Sequence, residues 1–410
     1  MAEESLFRFE KVINVSGDQI YRAFTSATGL REWLCDIATT NPVKGGRIFM
    51  AWERGYFASG TFTNLIPDKL VSFSWIGRAE PAWTQVDIEI VDLGTEGTRV
   101  VLEHSGIGEG ELWQNAREEI RKGWEDGLKN LKSIMEDGRD LRVTDRPLIG
   151  IYAEDLALLT KQRKESLNNP VIEGALVTDI VPEYGAQKAG LEPGDVIVGI
   201  NDEKVDRVKT LMRILSQFNA GDRIEIEAYR GQEKMHFSLD TMAQKIQTLP
   251  ESPEELAKEL EARGSQMLEK LEQVLEGVTD AEASYSPGPD EWSAKETLVH
   301  LIHSERENHI WINDLVGGQE RIYDEWPGNQ LFRIRATLTT YPTINDLLAE
   351  LRRSLKETVA SIAFLDQSFT RRRASYWRLG TEILNGTKHI EEHIHQIKDN
   401  IRAARSVFSV

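Results

Sequence analysis

The chain has 410 residues, 40% apolar and 28% charged, a balance that fills cores and still solvates a surface, over a length that calls for roughly two to four domains. A formal net charge of −18 repels phosphate backbones and anionic lipid heads, which argues against nucleic acid as a partner. The single cysteine, Cys35, excludes an intrachain disulfide and a thiolate metal cluster. No apolar run reaches membrane-spanning length, and the acidic start Met1-Ala-Glu-Glu-Ser5 lacks the basic residues of a secretory signal, so the expected location is the cytoplasm.

Strand-like alternation marks Phe7–Val15, Arg47–Trp52, Gly60–Leu65, Leu70–Ile76, Trp83–Asp92 and Thr98–His104, and a helix follows over Glu111–Asp137. That helix carries Ile120, Trp124, Leu128, Leu131 and Met135 at spacings of three and four, one face able to cover a sheet. A second segment runs from Pro147-Leu-Ile-Gly-Ile151 to Asp240, with Gly194-Asp195 turning a short helix into the apolar strand Val196–Ile200 and a helical stripe at Val208, Leu211, Met212 and Leu215. In the third, Ser252-Pro-Glu-Glu255, Ser293-Ala-Lys-Glu296 and Thr343-Ile-Asn-Asp346 are helix starts, each with a hydroxyl cap and an acid three residues on. Gly380 and Gly386 precede a fourth helix, expected from about Thr387 to Arg405, and four such helices make a bundle. The connection from Gly317 to Pro342 reads as one long loop, a flap or an edge of the site.

Six of the eight histidines, at 300, 303, 309, 389, 393 and 395, fall after residue 299. His389 and His393 are four apart and share a helix face, so two imidazoles can meet one metal ion, and His300 on a facing helix supplies a third. His303 is its nearest competitor; His395 points away from His393, and His309 away from His300. Glu296, one turn before His300, and Gln396, just after His393, are candidates to orient those rings; the competing reading for both is a solvated helix face. Three neutral imidazoles leave a position open for water or substrate, unlike a structural zinc closed by four ligands.

Each segment resembles a known family. Trp33-Leu34, Gly45-Gly-Arg-Ile48, Gly60-Thr-Phe62, Pro67, Phe73-Ser-Trp75, Gly97-Thr98, His104-Ser-Gly106 and Gly123-Trp124 make residues 1–140 similar to the START-like (SRPBCC) helix-grip fold, and to relatives of the activator of a heat-shock chaperone ATPase. That resemblance implies a cavity for an apolar small molecule, lined by Trp33, Phe49, Trp52, Phe73, Trp75, Trp83 and Trp124. For His104 and Cys35 structural roles are expected.

Ala189-Gly-Leu-Glu-Pro-Gly-Asp-Val-Ile197 makes residues 145–243 resemble a PDZ domain of the bacterial protease-associated type, β-sandwich-like in architecture. It implies capture of a peptide or protein C-terminus between Leu148, Ile149, Gly150 and Ile151 on one side and Val208, Leu211 and Leu215 on the other. Where protease-associated versions often carry an aromatic, this chain has Leu148.

Trp292-Ser-Ala-Lys-Glu-Thr-Leu-Val-His300 together with His389-x-x-x-His393-x-x-Gln396-Ile makes residues 251–407 resemble the DinB-like all-α four-helix bundles. In that family the matching histidines bind a divalent metal, zinc or nickel, and thiol transfer is the best-known chemistry. The fold class is thus multidomain α+β. Two functions stand side by side: a metal-dependent (thiol) transferase or hydrolase, whose catalytic residues the sequence does not name, and a non-catalytic stress-response or chaperone-linked adaptor. A homodimer is compatible with either.

Overall fold

The alternation of residues 5–107 becomes a seven-stranded antiparallel sheet in the computed structural model, which describes residues 5–52, 55–159, 161–244, 248–288, 291–321 and 331–408. Strand β1 (Ser5–Ile13) leads into helices α1 (Gly17–Thr25) and α2 (Ala27–Trp33). Then come β2 (Ile37–Thr40), β3 (Arg47–Ala51), β4 (Phe57–Ile66), β5 (Leu70–Gly77), β6 (Thr84–Asp92) and β7 (Thr98–Ile107), ordered β1-β7-β6-β5-β4-β3-β2 in the sheet. Val86, Ile88 and Ile90 of β6 and Val100, Leu102 and His104 of β7 alternate toward one face, the period that a half-covered sheet requires. Helix α3 (Gln114–Asp137) covers that face with Ile120, Trp124, Leu128, Leu131 and Ile134. At Gly127 a Cβ would lie 3.1 Å from Leu34 and 3.2 Å from Trp33, so the glycine lets α3 sit close to the end of α2. The two short helices and β2 carry too few residues to show a period and are additions to the sequence reading.

Residues 140–247 form a compact unit of their own. A short helix α4 (Leu141–Thr144) precedes β8 (Ile151–Asp155), α5 (Lys161–Leu167), β9 (Ala175–Ile180), α6 (Gly185–Ala189), β10 (Val196–Ile200), β11 (Glu203–Lys204), α7 (Val208–Leu215), β12 (Arg223–Arg230) and β13 (Glu233–Asp240). The sheet order is β13-β12-β10-β9-β8, which leaves β8 at an edge, and β11 pairs with β10. The Pro193-Gly194-Asp195 turn has an electrostatic reason beyond its shape: the fully buried Asp195 carboxylate accepts from Arg230 Nε at 2.8 Å and Nη2 at 2.9 Å, and from the backbone N–H of Glu192 at 2.9 Å.

The four long helices of the third segment are α8 (Pro253–Leu275), α10 (Ala294–Gly317), α12 (Ile344–Ala363) and α14 (Arg373–Phe408), with short α9 (Asp280–Ala283), α11 (Leu331–Thr340) and α13 (Gln367–Thr370) between them. The expected starts are present: Ser252 accepts from the N–H of Glu255, while Ser293 with Glu296 and Thr343 with Asp346 close capping boxes. Two expectations are corrected. Helix α14 begins fourteen residues before Thr387 and contains both glycines, because at Gly380 a Cβ would come within 2.6 Å of Leu249 Cδ1; the glycine makes room for the segment leading into α8 rather than ending a helix. The long connection after Gly317 is helical over Leu331–Thr340, and its middle, 322–330, lies outside the described residues.

Residues 1–139 and 248–410 make one compact unit, so the first and third segments, read from the sequence as separate domains, are packed together. Among the described residues no helix is long and apolar enough to cross a membrane.

Candidate metal centre

Helices α10 and α14 bring His300, His389 and His393 to one point, half-buried, with one ring nitrogen of each within 4.8 Å of the others. Nε2 of His389 stands 3.0 Å from Nε2 of His393 and 3.2 Å from Nε2 of His300. Three nitrogens at about 2.05 Å from a tetrahedral ion are about 3.3 Å apart, so the separations suit coordination. His393 Nδ1 lies 2.8 Å from Gln396 Oε1; since an amide oxygen only accepts, Nδ1 carries the proton and Nε2 keeps its lone pair for the cluster. Burial first, and then the neighbouring His393 and His300, push His389 down to about 4, so its ring is neutral at pH 7. A three-histidine cluster able to hold a metal ion is therefore present, and among the described residues it is the one group of this kind.

The surroundings separate the two orienting candidates. Gln396 meets His393, whereas Glu296 Oε2 accepts from the backbone N–H of Ser293 at 2.8 Å and closes the cap of α10. The spacing that placed Glu296 one turn before His300 also makes it the third residue of a helix, and the cap takes the carboxylate. Trp292 lies against the His300 ring, centroids 5.1 Å apart, and its carbonyl accepts from Asn400 Nδ2 at 2.7 Å. The motif contained Trp292, but the sequence reading missed Asn400; an amide on the buried face of α14, seven residues past His393, was its signal.

The remaining bundle histidines go elsewhere. His303, the competitor of His300, is buried with Nε2 2.9 Å from Thr337 Oγ1 of α11, and burial, then Arg333, Arg306 and His300, lower it to about 4. His309 Nε2 lies 2.9 Å from Thr358 Oγ1 and 3.0 Å from the Ser354 carbonyl. Thr358 Oγ1 is also 2.7 Å from the buried Glu305 carboxyl, whose pKa burial raises. His395 is exposed.

In the first segment, Trp33, Phe73, Trp75 and Trp124 are buried core residues, while Trp52 and Phe49 are half-buried. The indoles are hydrogen-bonded: Trp33 to the Ala23 carbonyl, Trp52 to that of Leu34, Trp75 to the buried Glu80 carboxylate. Trp124 Nε1 donates to His104 Nδ1 at 3.0 Å, His104 Nε2 then donates to Thr84 Oγ1 at 2.7 Å, and Thr84 donates to the Trp75 carbonyl. This chain requires the neutral Nε2–H tautomer, and burial lowers His104 to about 3. Cys35 is buried. Trp83 is a correction: it precedes the first residue of β6, escapes the pleat and is 59% exposed, so it lines no interior.

In the second unit Ile149, Leu211 and Leu215 belong to the core, a correction to their expected place on a peptide groove: the apolar stripe of α7 also has to cover the sheet, and Ile149 turns inward from the loop before β8. Leu148, Ile151 and Val208 are half-buried and accessible, and Gly150, buried in the loop before β8, has a positive φ of 83° that suits glycine. The Asp155 carboxylate at the end of β8 accepts from the N–H of Val208 at 2.6 Å, tying edge strand to helix start.

Comparisons with known proteins divide the chain the same way. The family model described as Activator of Hsp90 ATPase homolog 1-like protein matches residues 14–136, that of the PDZ domain 147–241, and that of the DinB superfamily 263–397. The chain thus has a three-domain architecture: a mixed α+β START-like segment, a PDZ-type sheet and an all-α DinB-like region bearing the histidine cluster. A probable periplasmic serine endoprotease DegP-like of Bartonella henselae is 27% identical over 114 residues, 27% of this chain and 22% of that protein. Protease Do-like 1 of Arabidopsis thaliana chloroplasts is 33% identical over 106 residues, 23% of this chain and 22% of that one. The chain therefore spans about a fifth of the length of these relatives. Among solved structures, the Aha1 dimer of Colwellia psychrerythraea is 24% identical over 33% of this chain and 98% of its own, with a TM-score of 0.30. An Hsp90 activator of Plasmodium falciparum is 22% identical over 32% and 95%, with a TM-score of 0.29.

Proposed function

We propose that the protein is a metal-binding adaptor, divided at 1–140, 145–243 and 251–407, in which a zinc or nickel ion held by His300, His389 and His393 sets the state of the bundle while the other domains bind ligand and peptide. The convergence of three Nε2 atoms at 3.0–3.2 Å carries this reading. Three facing lone pairs repel unless a proton or a cation sits among them, and a neutral His389 favours the cation. Peptide capture is supported by the edge position of β8 beside α7, where a free C-terminus can add a strand and meet the backbone N–H groups of the loop Leu148–Ile151. The first domain takes an apolar small molecule, and its match to chaperone-activator relatives supports a chaperone-linked role.

One observation favours a second reading, a metal-dependent transferase or hydrolase. Among the described residues the cluster offers three protein ligands rather than four, and an ion so held lowers the pKa of bound water or binds a thiol as thiolate. In either case Gln396 fixes the His393 tautomer and Trp292 walls one side of His300.

The test is elemental analysis of untagged protein. Parent and His395→Ala should carry about one ion per chain and His393→Ala much less. Equal metal in the two variants, or none in the parent, refutes the site. Turnover of thiol or ester substrates that disappears with chelator separates enzyme from adaptor.

A further inference from the structure

Helices α10 and α14 meet at two polar rungs. One is the histidine cluster. The other is Glu320, whose side chain is 7% exposed and joins three elements: its carboxylate accepts from Arg378 of α14 at 2.6 Å, from Trp311 Nε1 of α10 at 2.9 Å, and from Arg31 of α2 at 2.8 Å. Arg378 lies eleven residues before His389, and Trp311 eleven after His300, so on both helices the rungs are about 16 Å apart. Helix α14 runs unbroken between them.

The first turns of α14 are built into the START-like segment. Ala374, 6% exposed, belongs to that segment's core. Ser375 Oγ donates to the Glu32 carboxylate, which is 3% exposed and also paired with Arg22; Arg373 donates to the Glu136 carbonyl, and Gln19 Nε2 donates to the Arg371 carbonyl just before the helix. Buried carboxylates such as Glu32 and Glu320 are tolerable only while their partners stay in place, so the junction holds or opens as a whole.

We infer that the two rungs are coupled: a metal ion that locks α10 to α14 at the histidine cluster tightens the Glu320 junction, and so stabilises α1 and α2 of the START-like segment, while loss of the junction weakens metal binding by the same factor. The inference rests on the metal reading above and adds to it a regulatory link between the two domains.

The test is hydrogen exchange followed by mass spectrometry on the full untagged chain, stripped with chelator or loaded with zinc alone, with bound zinc measured in parallel. In the parent, zinc should slow exchange in residues 17–33 by about fivefold or more as well as in 296–304 and 385–397. In Glu320→Gln, zinc should still protect the histidine segments but leave 17–33 unchanged; Arg31→Gln cuts the same rung from the other side and serves if the first variant does not fold. Protection confined to the histidine segments in the parent overturns the coupling while the metal site stands. A parent that binds no zinc overturns both.

Discussion

Replacing Gln396 by alanine isolates what a neighbour does for a metal ligand. Its Oε1 lies 2.8 Å from His393 Nδ1, and that hydrogen bond fixes both the tautomer and the tilt of the ring. Without it His393 can rotate and can hold its proton on Nε2, where the lone pair is needed. Removal of such a partner costs about 10–100-fold in metal affinity, about 1.4–2.8 kcal/mol. Glu296→Ala is the matched control: the residue is on the neighbouring helix, but its carboxylate caps α10 through the N–H of Ser293, so its removal should lower the melting temperature and leave affinity within about twofold. Competition titration of zinc against a chromophoric chelator at pH 7.5, with circular dichroism to verify the fold, measures both. Unchanged affinity in Gln396→Ala, or an equal loss in the two variants, refutes the assignment of the two residues.

Three further outcomes are expected. His104 is held neutral at about 3 in the fold and titrates near 6.5 once unfolded, so its contribution is complete above pH 6.5 and is lost as pH falls toward 3, with a ceiling on the order of 5 kcal/mol; urea titrations followed by tryptophan fluorescence should give a shallower loss between pH 7 and 4.5 in His104→Phe than in the parent, and equal slopes would exclude the effect. At Gly150 an added Cβ would sit 2.0 Å from Tyr184 Cβ at a φ of 83°, so Gly150→Ala should destabilise residues 140–247 by about 1–3 kcal/mol, seen as faster exchange in 148–151 and 184–186; unaltered exchange would contradict the clash. Gly386→Ala, with open space around the new Cβ, should gain about 0.5–1 kcal/mol of helix stability, whereas at Gly380 Leu249 cancels that gain; thermal melts in which both substitutions raise Tm equally would show that Leu249 does not confine the position.

Much of this was legible in the sequence because the signals are local. Ser293 with Glu296 and Thr343 with Asp346 start helices wherever they stand, and His389 with His393 share a face by spacing alone. What failed to show was set by partners distant in sequence. Gly380 reads as a break until Leu249 is placed beside it, and Glu320 sits within the long connection with nothing to mark Arg31, 289 residues away, as its partner. The stripe of α7 gave the helix but not its allegiance, since Leu211 and Leu215 could equally line a groove or fill a core. Trp83 was misplaced by one pleat position, enough to turn an interior side chain outward.

The junction at Glu320 and Glu32 also has a temporal meaning. Its hydrogen bonds span 289 and 343 residues, with the 108 residues of the second compact unit in between, so during synthesis the START-like segment emerges long before the helix that completes its core. Until Ser375 arrives, the surface around Glu32 waits with a carboxylate facing water, and the same surface on another nascent chain is an equally good host for α14. Contacts this distant form late and slowly, and the route that competes with them is exchange of α14 between chains, so concentration during refolding decides between chains closed on themselves and helix-swapped assemblies.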